Sequence, residues 1–351
     1  VTVDADRARA AELIESSFIP SWERLASRLR EIRPTATDDI SLSRLPEGDR
    51  YYAHLLSKHS STDMSATEIQ ELGWAEVERI KAEMSNLAEA IGVSDSSPSA
   101  LRSKAVEELG WVEPAEVAES YRVLVEQAED HFLPFFSLIP ESPVEVIADA
   151  ASVAYYVGPS FAGDRPGAFH AGSGGGAVPA YTMPSLAFHE AIPGHHLQIA
   201  LAIELDLPSP QKFLTSTGHV EGWALYAERL GADTGYYDEL PHADFGRLEF
   251  ELLRAARLVV DTGIHDLGWS RDEARRVMTE IMDGEHFNSE VDRYALYPGQ
   301  ATAYMVGLLA LLDLRADMGI DVSSPASLAE FHEFVIGQGN VPLSVLIQHE
   351  P

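Results

Sequence analysis

The stretch of sequence that constrains the fold most strongly is Ala187-Phe-His-Glu-Ala-Ile-Pro-Gly-His-His-Leu-Gln198. It contains a His-Glu pair, His189 and Glu190, then a Pro-Gly break, and then a His-His pair, His195 and His196. Zinc hydrolases hold their metal with neutral imidazoles and place a carboxylate beside it to activate water. The stretch therefore predicts a metal centre on a helix, although the common H-E-x-x-H spacing is absent.

Helical geometry favours His196 as the partner of His189. Each residue turns about 100°, so position i+7 returns to nearly the same face, at an axial rise of about 10.5 Å against about 6 Å for i+4. A helical Pro193 would lose one hydrogen bond and clash with the preceding turn, and Gly194 permits unusual dihedral angles. We therefore expect a kink or bulge that shortens the span. His196 is the preferred second ligand because it lies on nearly the same helix face as His189, and His195 is the alternative.

A second interpretation of this stretch is a buried helix whose histidines hydrogen-bond to backbone or carboxylate partners. That interpretation suits a lone histidine best. Three histidines and a glutamate fall within eight positions here, 189 to 196, and this density favours the metal site.

The third ligand is expected in the helical stretch 217–231. Glu221 lies 25 positions after His196, which allows a turn around Pro208 and an antiparallel helix that returns to the same point. A carboxylate on a second helix is a common third zinc ligand. Glu228 lies seven positions further on the same face, and we expect it and Gln198 to orient the ligands.

The blocks at 189–198 and 221–228 resemble the bacterial domain-of-unknown-function family 885. Other stretches that resemble it are 45–52, 165–169, 293–301 and 331–343, so the resemblance covers most of the chain. The family is similar to mostly helical zinc peptidases that use His, His and Glu as ligands and a Glu as base. These include the angiotensin-converting-enzyme-like and thermostable carboxypeptidase groups.

The resemblance implies a metallopeptidase-like fold, a Zn²⁺ cofactor and a peptide substrate. It implies His189, His196 or His195, and Glu221 as metal ligands, with Glu190 as the base. Because family members are usually longer at the N-terminus, we expect the chain to be the C-terminal portion of a longer protein or a processed product.

A further stretch, 293–304, supplies candidate donors for the oxyanion that peptide hydrolysis develops. These are Arg293, Tyr297 and Tyr304, and His219, two positions before Glu221, is another. Arg293 could alternatively hold a substrate carboxylate in a bidentate pair. The structural alternative for the tyrosines is that they are core aromatics with their hydroxyls at the surface.

Composition excludes several classes of protein. The 351 residues are 45% hydrophobic and contain no cysteine, which rules out disulfides and thiolate metal sites. The net charge of −31 disfavours nucleic acid and anionic lipid as partners. The sequence contains no apolar run of 18 residues, so no membrane span is predicted. The sequence does not decide the location: the first residues lack signal-peptide features, and the protein is either cytoplasmic, or secreted or in the cell envelope if a signal was removed from the precursor. The oligomeric state is not predicted.

The pattern of elements predicts one mainly α domain over residues 1–351. Its parts are N-terminal helices at 1–143, a small β hairpin or meander at 144–183, and a helical catalytic part at 184–351. Apolar residues recur at helical spacing between 4 and 30, and Ser65 with Glu68 has the form of a capping box. The β-branched and aromatic run at 152–157 and the glycines around 167–176 predict the strands, which could bind substrate along an edge or simply cover the core.

The sequence thus predicts a zinc-dependent peptidase in which Glu190 takes a proton from metal-activated water. One alternative is a non-catalytic metal- or peptide-binding protein of the same fold. Glu190 argues against it, because metal binding alone does not need that residue. The other alternative is a metal-dependent hydrolase of another amide or ester, which sequence does not separate from a peptidase.

Overall fold

The computed structural model describes residues 3–151, 153–285 and 287–348. It is 66% helical and 6% strand, which confirms the predicted mainly α fold. The chain forms two compact units, Val1–Ile40 and Ser41–Pro351.

The described part of the first unit is mostly helical. Its elements are α1 (Val3–Leu13), a π-helical turn (Ile14–Phe18) and α2 (Ile19–Ile32). Leu13, Phe18 and Trp22, whose helical spacing contributed to the prediction for 4–30, lie in these helices and are exposed.

The second unit begins with helices joined by short loops. They are α3 (Gly48–Ser60), α4 (Ala66–Ala90), α5 (Pro98–Leu109) and α6 (Val117–Phe132), with the short strand β1 (Trp111–Val112) before α6. The capping box at the start of α4 is confirmed: the Ser65 side chain accepts from the Glu68 backbone, and the Glu68 side chain accepts from the Ser65 backbone.

The small sheet lies where the sequence predicted strands, but its pairing differs from a meander. Its strands are β2 (Val144–Asp149), β3 (Tyr155–Val157) and β4 (Gly167–Gly172), and β4 lies in the centre. It pairs in parallel with β2 and antiparallel with β3. A separate strand, β5 (Val178–Pro179), pairs antiparallel with β1, which lies outside the predicted insertion. Ser152, part of the predicted strand run, lies outside the described residues.

Helices make up nearly all of the remaining described chain. They are α7 (Met183–Glu190), α8 (His195–Glu204), α9 (Ser209–Phe213), α10 (Thr217–Asp233), α11 (Pro241–His265), α12 (Arg271–Met282), α13 (Ser289–Leu296), α14 (Ala303–Asp317), α15 (Pro325–Ile336) and α16 (Leu343–Gln348). The helix predicted through the 187–198 stretch, with a kink or bulge at Pro193 and Gly194, is therefore two helices, α7 and α8.

The core of the second unit is built around α11. This helix is buried along most of its length and packs against α4, α5, α7 and α12. Its buried charges are paired, as burial requires: Glu251, for example, accepts from Arg247 at 2.9 Å and from Arg229 at 2.8 Å. The helix can therefore present charged side chains to the centre of the unit.

Glycines bring α10 and α14 into close backbone contact. A Cβ added at Gly222 would lie 2.5 Å from the Gly307 Cα, and one added at Gly307 would lie 2.1 Å from the Gly218 carbonyl oxygen. Only glycine fits at such an approach. This contact fixes the position of α10, the helix that carries Glu221.

Within the described ranges, no single helix combines the length and apolarity needed to cross a membrane. One pair of helical segments, Ser289–Leu296 with Gln300–Asp317, meets those criteria together, with a bend of 115° between them.

Candidate metal centre

The His-Glu pair and the His-His pair lie at the adjoining ends of two helices. His189 and Glu190 end α7, because the next residue, Ala191, leaves the helical region with φ −109° and ψ −104°. His195 and His196 begin α8 after a four-residue break. A Cβ at Gly194, inside the break, would lie 2.0 Å from the His189 carbonyl oxygen, so the return of the chain requires glycine there.

The break is also held against α10. The indole Nε1 of Trp223 donates a hydrogen bond to the Pro193 carbonyl oxygen at 3.0 Å. Trp223 is fully buried and lies two positions after Glu221 on the same helix. The loop between α7 and α8 is thereby fixed relative to the helix that supplies the carboxylate.

Three side chains converge at this point with the chemistry of a metal site. The Nε2 atoms of His189 and His195 each lie 3.6 Å from Oε2 of Glu221. Among the described residues these three form a group whose possible ligand atoms all lie within 4.8 Å of one another. Tetrahedral zinc with bonds of about 2.0–2.1 Å separates its ligand atoms by about 3.4 Å. The donor set and its spacing therefore fit Zn²⁺.

His196 does not belong to this group, and the preference for it over His195 disagrees with the structure. Its Nδ1 lies 2.9 Å from the Tyr156 hydroxyl, and burial lowers its pKa to about 4. The preference for His196 assumed one continuous helix, in which a residue seven positions after His189 lies on the same helix face as His189. Because the helix breaks at 191–194, that assumption fails and His195 faces Glu221 instead.

Glu228 hydrogen-bonds to the first histidine, the contact that its predicted role in orienting the ligands requires. Its carboxylate, which is 1% exposed, accepts from His189 Nδ1 at 2.8 Å, from Arg254 at 3.2 Å and from the Ser185 hydroxyl. A carboxylate only accepts here, so Nδ1 must carry a proton, and the neutral form of His189 would present an unprotonated Nε2 to a metal. No hydrogen bond supports the same role for Gln198. Its side-chain amide is buried and has no hydrogen-bond partner within the described chain.

The acidic and basic side chains of the site shift one another's pKa values. Burial lowers the pKa of His189, but the neighbouring carboxylates of Glu221 and Glu228 outweigh burial and raise it to about 9. Burial raises the pKa of Glu221, but His189 and His195 hold it well below its usual range. A divalent cation would take the place of the imidazole proton in neutralising these carboxylates.

Glu190 lies beside this group in a different environment. It is buried, and burial raises its pKa despite the opposing effect of His189 and His195. A buried carboxyl with a raised pKa next to possible metal ligands has the character of a proton-transfer group.

A cavity of about 660 Å³ opens onto Glu190 and His189. Two of the predicted donors, Arg293 and Tyr304, line it, with Arg293 Nη2 at 3.3 Å from the Tyr304 hydroxyl. Its volume lies in the range of small-ligand sites, about 300–1,000 Å³. The structure thus brings Glu190, Arg293 and Tyr304 to one space.

The other two predicted donors lie elsewhere. Tyr297 is half exposed, and its ring packs edge-on against His59, with centroids 5.2 Å apart. His219 is fully buried, its Nδ1 lies 2.9 Å from the Val341 carbonyl oxygen, and burial lowers its pKa to about 4. Neither residue belongs to the described lining of the cavity.

The sequence analysis missed two arginines of the cavity, Arg254 and Arg257. They lie one turn apart on α11 and are 6% and 7% exposed. Arginine is seldom buried without a partner, so their place within an otherwise apolar helical pattern was a signal that could have marked them.

Residues 2–349 match the sequence profile of a family described as "Bacterial protein of unknown function (DUF885)". Comparison with curated proteins gave no match. Among solved structures, one described as a "putative lipoprotein" from Colwellia psychrerythraea is similar at 28% identity and a TM-score of 0.89. The similarity covers 99% of this chain and 63% of that one.

A second similar structure is described as a "putative lipoprotein of unknown function" from Shewanella oneidensis. It has 19% identity and a TM-score of 0.75, over 93% of this chain and 63% of that one. At this identity the likeness shows the fold alone. The chain therefore spans 63% of the length of each of these two proteins.

Proposed function

The chain belongs to the bacterial family of unknown function DUF885, and from its site we propose that it is a zinc-dependent peptidase with Glu190 as general base. The observation that carries the proposal is the convergence of two imidazole Nε2 atoms on one carboxylate oxygen, each at 3.6 Å, beside a buried glutamate. A site that bound metal for structure alone would not need Glu190.

In this proposal His189, His195 and Glu221 hold the metal. Bound Zn²⁺ supplies Lewis acidity, which lowers the pKa of water and polarises the scissile carbonyl. The Glu190 carboxylate accepts a proton from the attacking water and then donates it to the leaving amine. Tyr304, at the wall of the same cavity, is the proposed donor to the developing oxyanion.

Metal analysis combined with a peptide-library digest tests the proposal. We expect about one zinc ion per chain, cleavage of library peptides, and loss of both on treatment with a strong chelator. Added zinc should restore cleavage. Protein that neither contains nor takes up a divalent metal would rule the proposal out.

The same experiment separates the alternatives. Bound metal without cleavage of any peptide would favour the non-catalytic binding protein of the same fold. Cleavage confined to ester or non-peptide amide substrates would favour a different metal-dependent hydrolase.

We also propose a cell-envelope location. The similar solved structure from Colwellia psychrerythraea is described as a "putative lipoprotein", and lipoproteins are attached to the cell envelope. Fractionation of cells that express the complete natural protein tests this location, and recovery of the protein only with the cytoplasm would contradict it.

A further inference from the structure

Three arginines surround the ring of Tyr304 in the cavity that opens onto Glu190. Arg254 and Arg257 come from α11 and Arg293 from α13. Their guanidinium carbons lie 6.0, 4.6 and 5.8 Å, respectively, from the centre of the ring. We refer to Arg254, Arg257 and Arg293 as the arginine cluster. A concentration of positive charge of this kind is unexpected in a protein of net charge −31.

The cluster is connected to the candidate metal site by direct contacts. Arg254 donates to Glu228 at 3.2 Å, and Glu228 accepts from the ligand His189 at 2.8 Å. On its other side Arg254 approaches Tyr304, whose hydroxyl is 3.3 Å from Arg293. A group held by the cluster would therefore lie in the same cavity as Glu190.

The carboxylates around the cluster do not neutralise it. Glu228 serves both Arg254 and His189. Arg257 and Arg293 share one carboxylate, that of Glu290, at 2.8 and 3.3 Å, and within the described chain neither has another ion pair. Two guanidinium groups thus face one acidic partner.

One more carboxyl is close enough to Arg293 to influence it, but it is engaged elsewhere. Asp261 accepts from the Tyr52 hydroxyl at 2.7 Å and from the Gly299 backbone at 2.9 Å. Burial raises the pKa of Asp261 to about 7, so near neutral pH it carries only part of a negative charge. Glu190, which lines the same cavity, interacts electrostatically with Arg254. Arg257 and Arg293 still share the single carboxylate of Glu290, so an anionic ligand would neutralise the remaining positive charge of this pair.

We propose that Arg257 and Arg293 bind a carboxylate of the peptide substrate in this cavity. The guanidinium fork matches a carboxylate bidentately, and a carboxylate would supply the charge that Glu290 alone does not. The carboxylate comes either from the C-terminus of the peptide or from an acidic side chain. Calling the ligand a substrate rests on the proposed peptidase function, whereas the binding itself does not.

Three probe peptides distinguish the sources of the carboxylate. They are acetyl-Ala-Ala-Ala with a free C-terminus, the same peptide as its C-terminal amide, and the amide acetyl-Ala-Glu-Ala. Their binding to the full chain is measured by calorimetry after chelator treatment, so that no metal competes for the carboxylate. We expect a carboxylate-bearing peptide to bind at least about tenfold more tightly than the neutral amide, since hydrogen bonds to charged groups are the strong ones.

The pattern among the probes identifies the group. Preference for the free acid alone indicates recognition of a C-terminus, and hence cleavage close to the end of the peptide. Preference for the glutamate peptide indicates recognition of an acidic side chain. Equal binding of all three, or no binding of either carboxylate peptide, would overturn the proposal without any variant being made.

A matched pair of variants tests whether the preference for a carboxylate depends on the arginine cluster. Arg293→Gln should abolish the preference, while Arg275→Gln should retain it. Arg275 is similarly exposed, 38% against 34%, and its ion pair is with Asp292, outside the cavity lining. A preference that survives in Arg293→Gln, in protein that unfolds as cooperatively as the parent, would also refute the assignment.

The two proposals fail in different ways. Absence of zinc uptake or of cleavage would contradict the peptidase while leaving carboxylate binding measurable in metal-free protein. Zinc-dependent cleavage with equal activity on free-acid, acidic and neutral amide peptides would contradict the carboxylate site and leave the peptidase standing.

Discussion

Replacing His195 and His196 one at a time should separate metal binding from folding at two neighbouring positions. His195 Nε2 lies 3.6 Å from Glu221, and its ring is 4.7 Å from that of His189. His196 instead contacts the Tyr156 hydroxyl at 2.9 Å and is 2% exposed. His195→Ala should therefore lose zinc affinity, and His196→Ala should lose stability.

The size of each effect follows from the contacts. Structural zinc sites with four ligands bind with about 10–16 kcal/mol, or about 2.5–4 kcal/mol per ligand, so His195→Ala should weaken zinc on the order of 100- to 1,000-fold. Loss of the buried His196 ring and of its hydrogen bond should lower the free energy of unfolding of metal-free protein by about 2–4 kcal/mol. Its zinc affinity should change by less than about tenfold, the lower limit for residues that orient ligands.

Two measurements on the same protein samples test whether the two variants lose different properties, zinc affinity in His195→Ala and stability in His196→Ala. Zinc affinity is obtained by competition with a chromophoric chelator, and stability by urea unfolding of the chelator-treated protein. Each variant serves as the control for the other, because both replace a buried histidine in the first turn of α8. A greater loss of zinc affinity in His196→Ala than in His195→Ala would refute the assignment from the structure.

Two further predictions concern buried carboxyls. Glu228→Gln keeps the shape of the side chain but weakens its hold on His189, so chelator competition should show zinc affinity lowered by about 10–100-fold, and an unchanged affinity would contradict its orienting role. Burial raises the pKa of Asp261 to about 7, above the unfolded value, so its contribution to stability is complete at low pH and is lost as pH rises from about 4 to 7. In this window the free energy of unfolding of wild type should fall by about 1.4 kcal/mol per pH unit more steeply than that of Asp261→Asn, which has no carboxyl to titrate. Urea unfolding of both proteins at several pH values measures this difference, and parallel pH profiles would contradict the prediction.

Local patterns in the sequence were enough to predict the mainly helical character and to single out the three residues that the structure brings together, His189, His195 and Glu221. Apolar spacing gave the helical character, and the Ser65–Glu68 capping box marked the start of α4. The grouping of His189 and Glu190 with the following histidines, and the spacing of Glu221 and Glu228 on one helix face, pointed to side chains that lie together in the structure. All of these features depend on residues within a few turns of one another.

The orientation of the second histidine could not be predicted in the same way. It depends on the backbone of residues 191–194, which leaves the helix at Ala191 and brings Gly194 against the His189 carbonyl oxygen. The Trp223 hydrogen bond to Pro193 then fixes the break against another helix. Ideal helical geometry, from which His196 was preferred, contains none of these contacts.

Contacts between distant parts of the chain account for the other differences between the sequence predictions and the structure. The strand β4 is central because it pairs with β2 and β3 together, and single-strand patterns do not specify partners. Arg254 and Arg257 become part of the cavity only because α11 packs beside the helix that carries Tyr304. Their significance lies in these contacts between distant parts of the chain, which spacing along one helix does not reveal.

The central claim is that Glu190 transfers protons beside a metal held by other residues. The most direct test compares Glu190→Gln with Glu221→Gln, measuring bound zinc per chain and turnover of a peptide found by library screening. Glu190→Gln should retain its zinc and lose turnover on the order of 10²–10⁴-fold, the usual contribution of a general base, while Glu221→Gln should lose zinc and turnover together. Near-normal turnover in Glu190→Gln, or loss of its zinc as complete as in Glu221→Gln, would contradict the assignment.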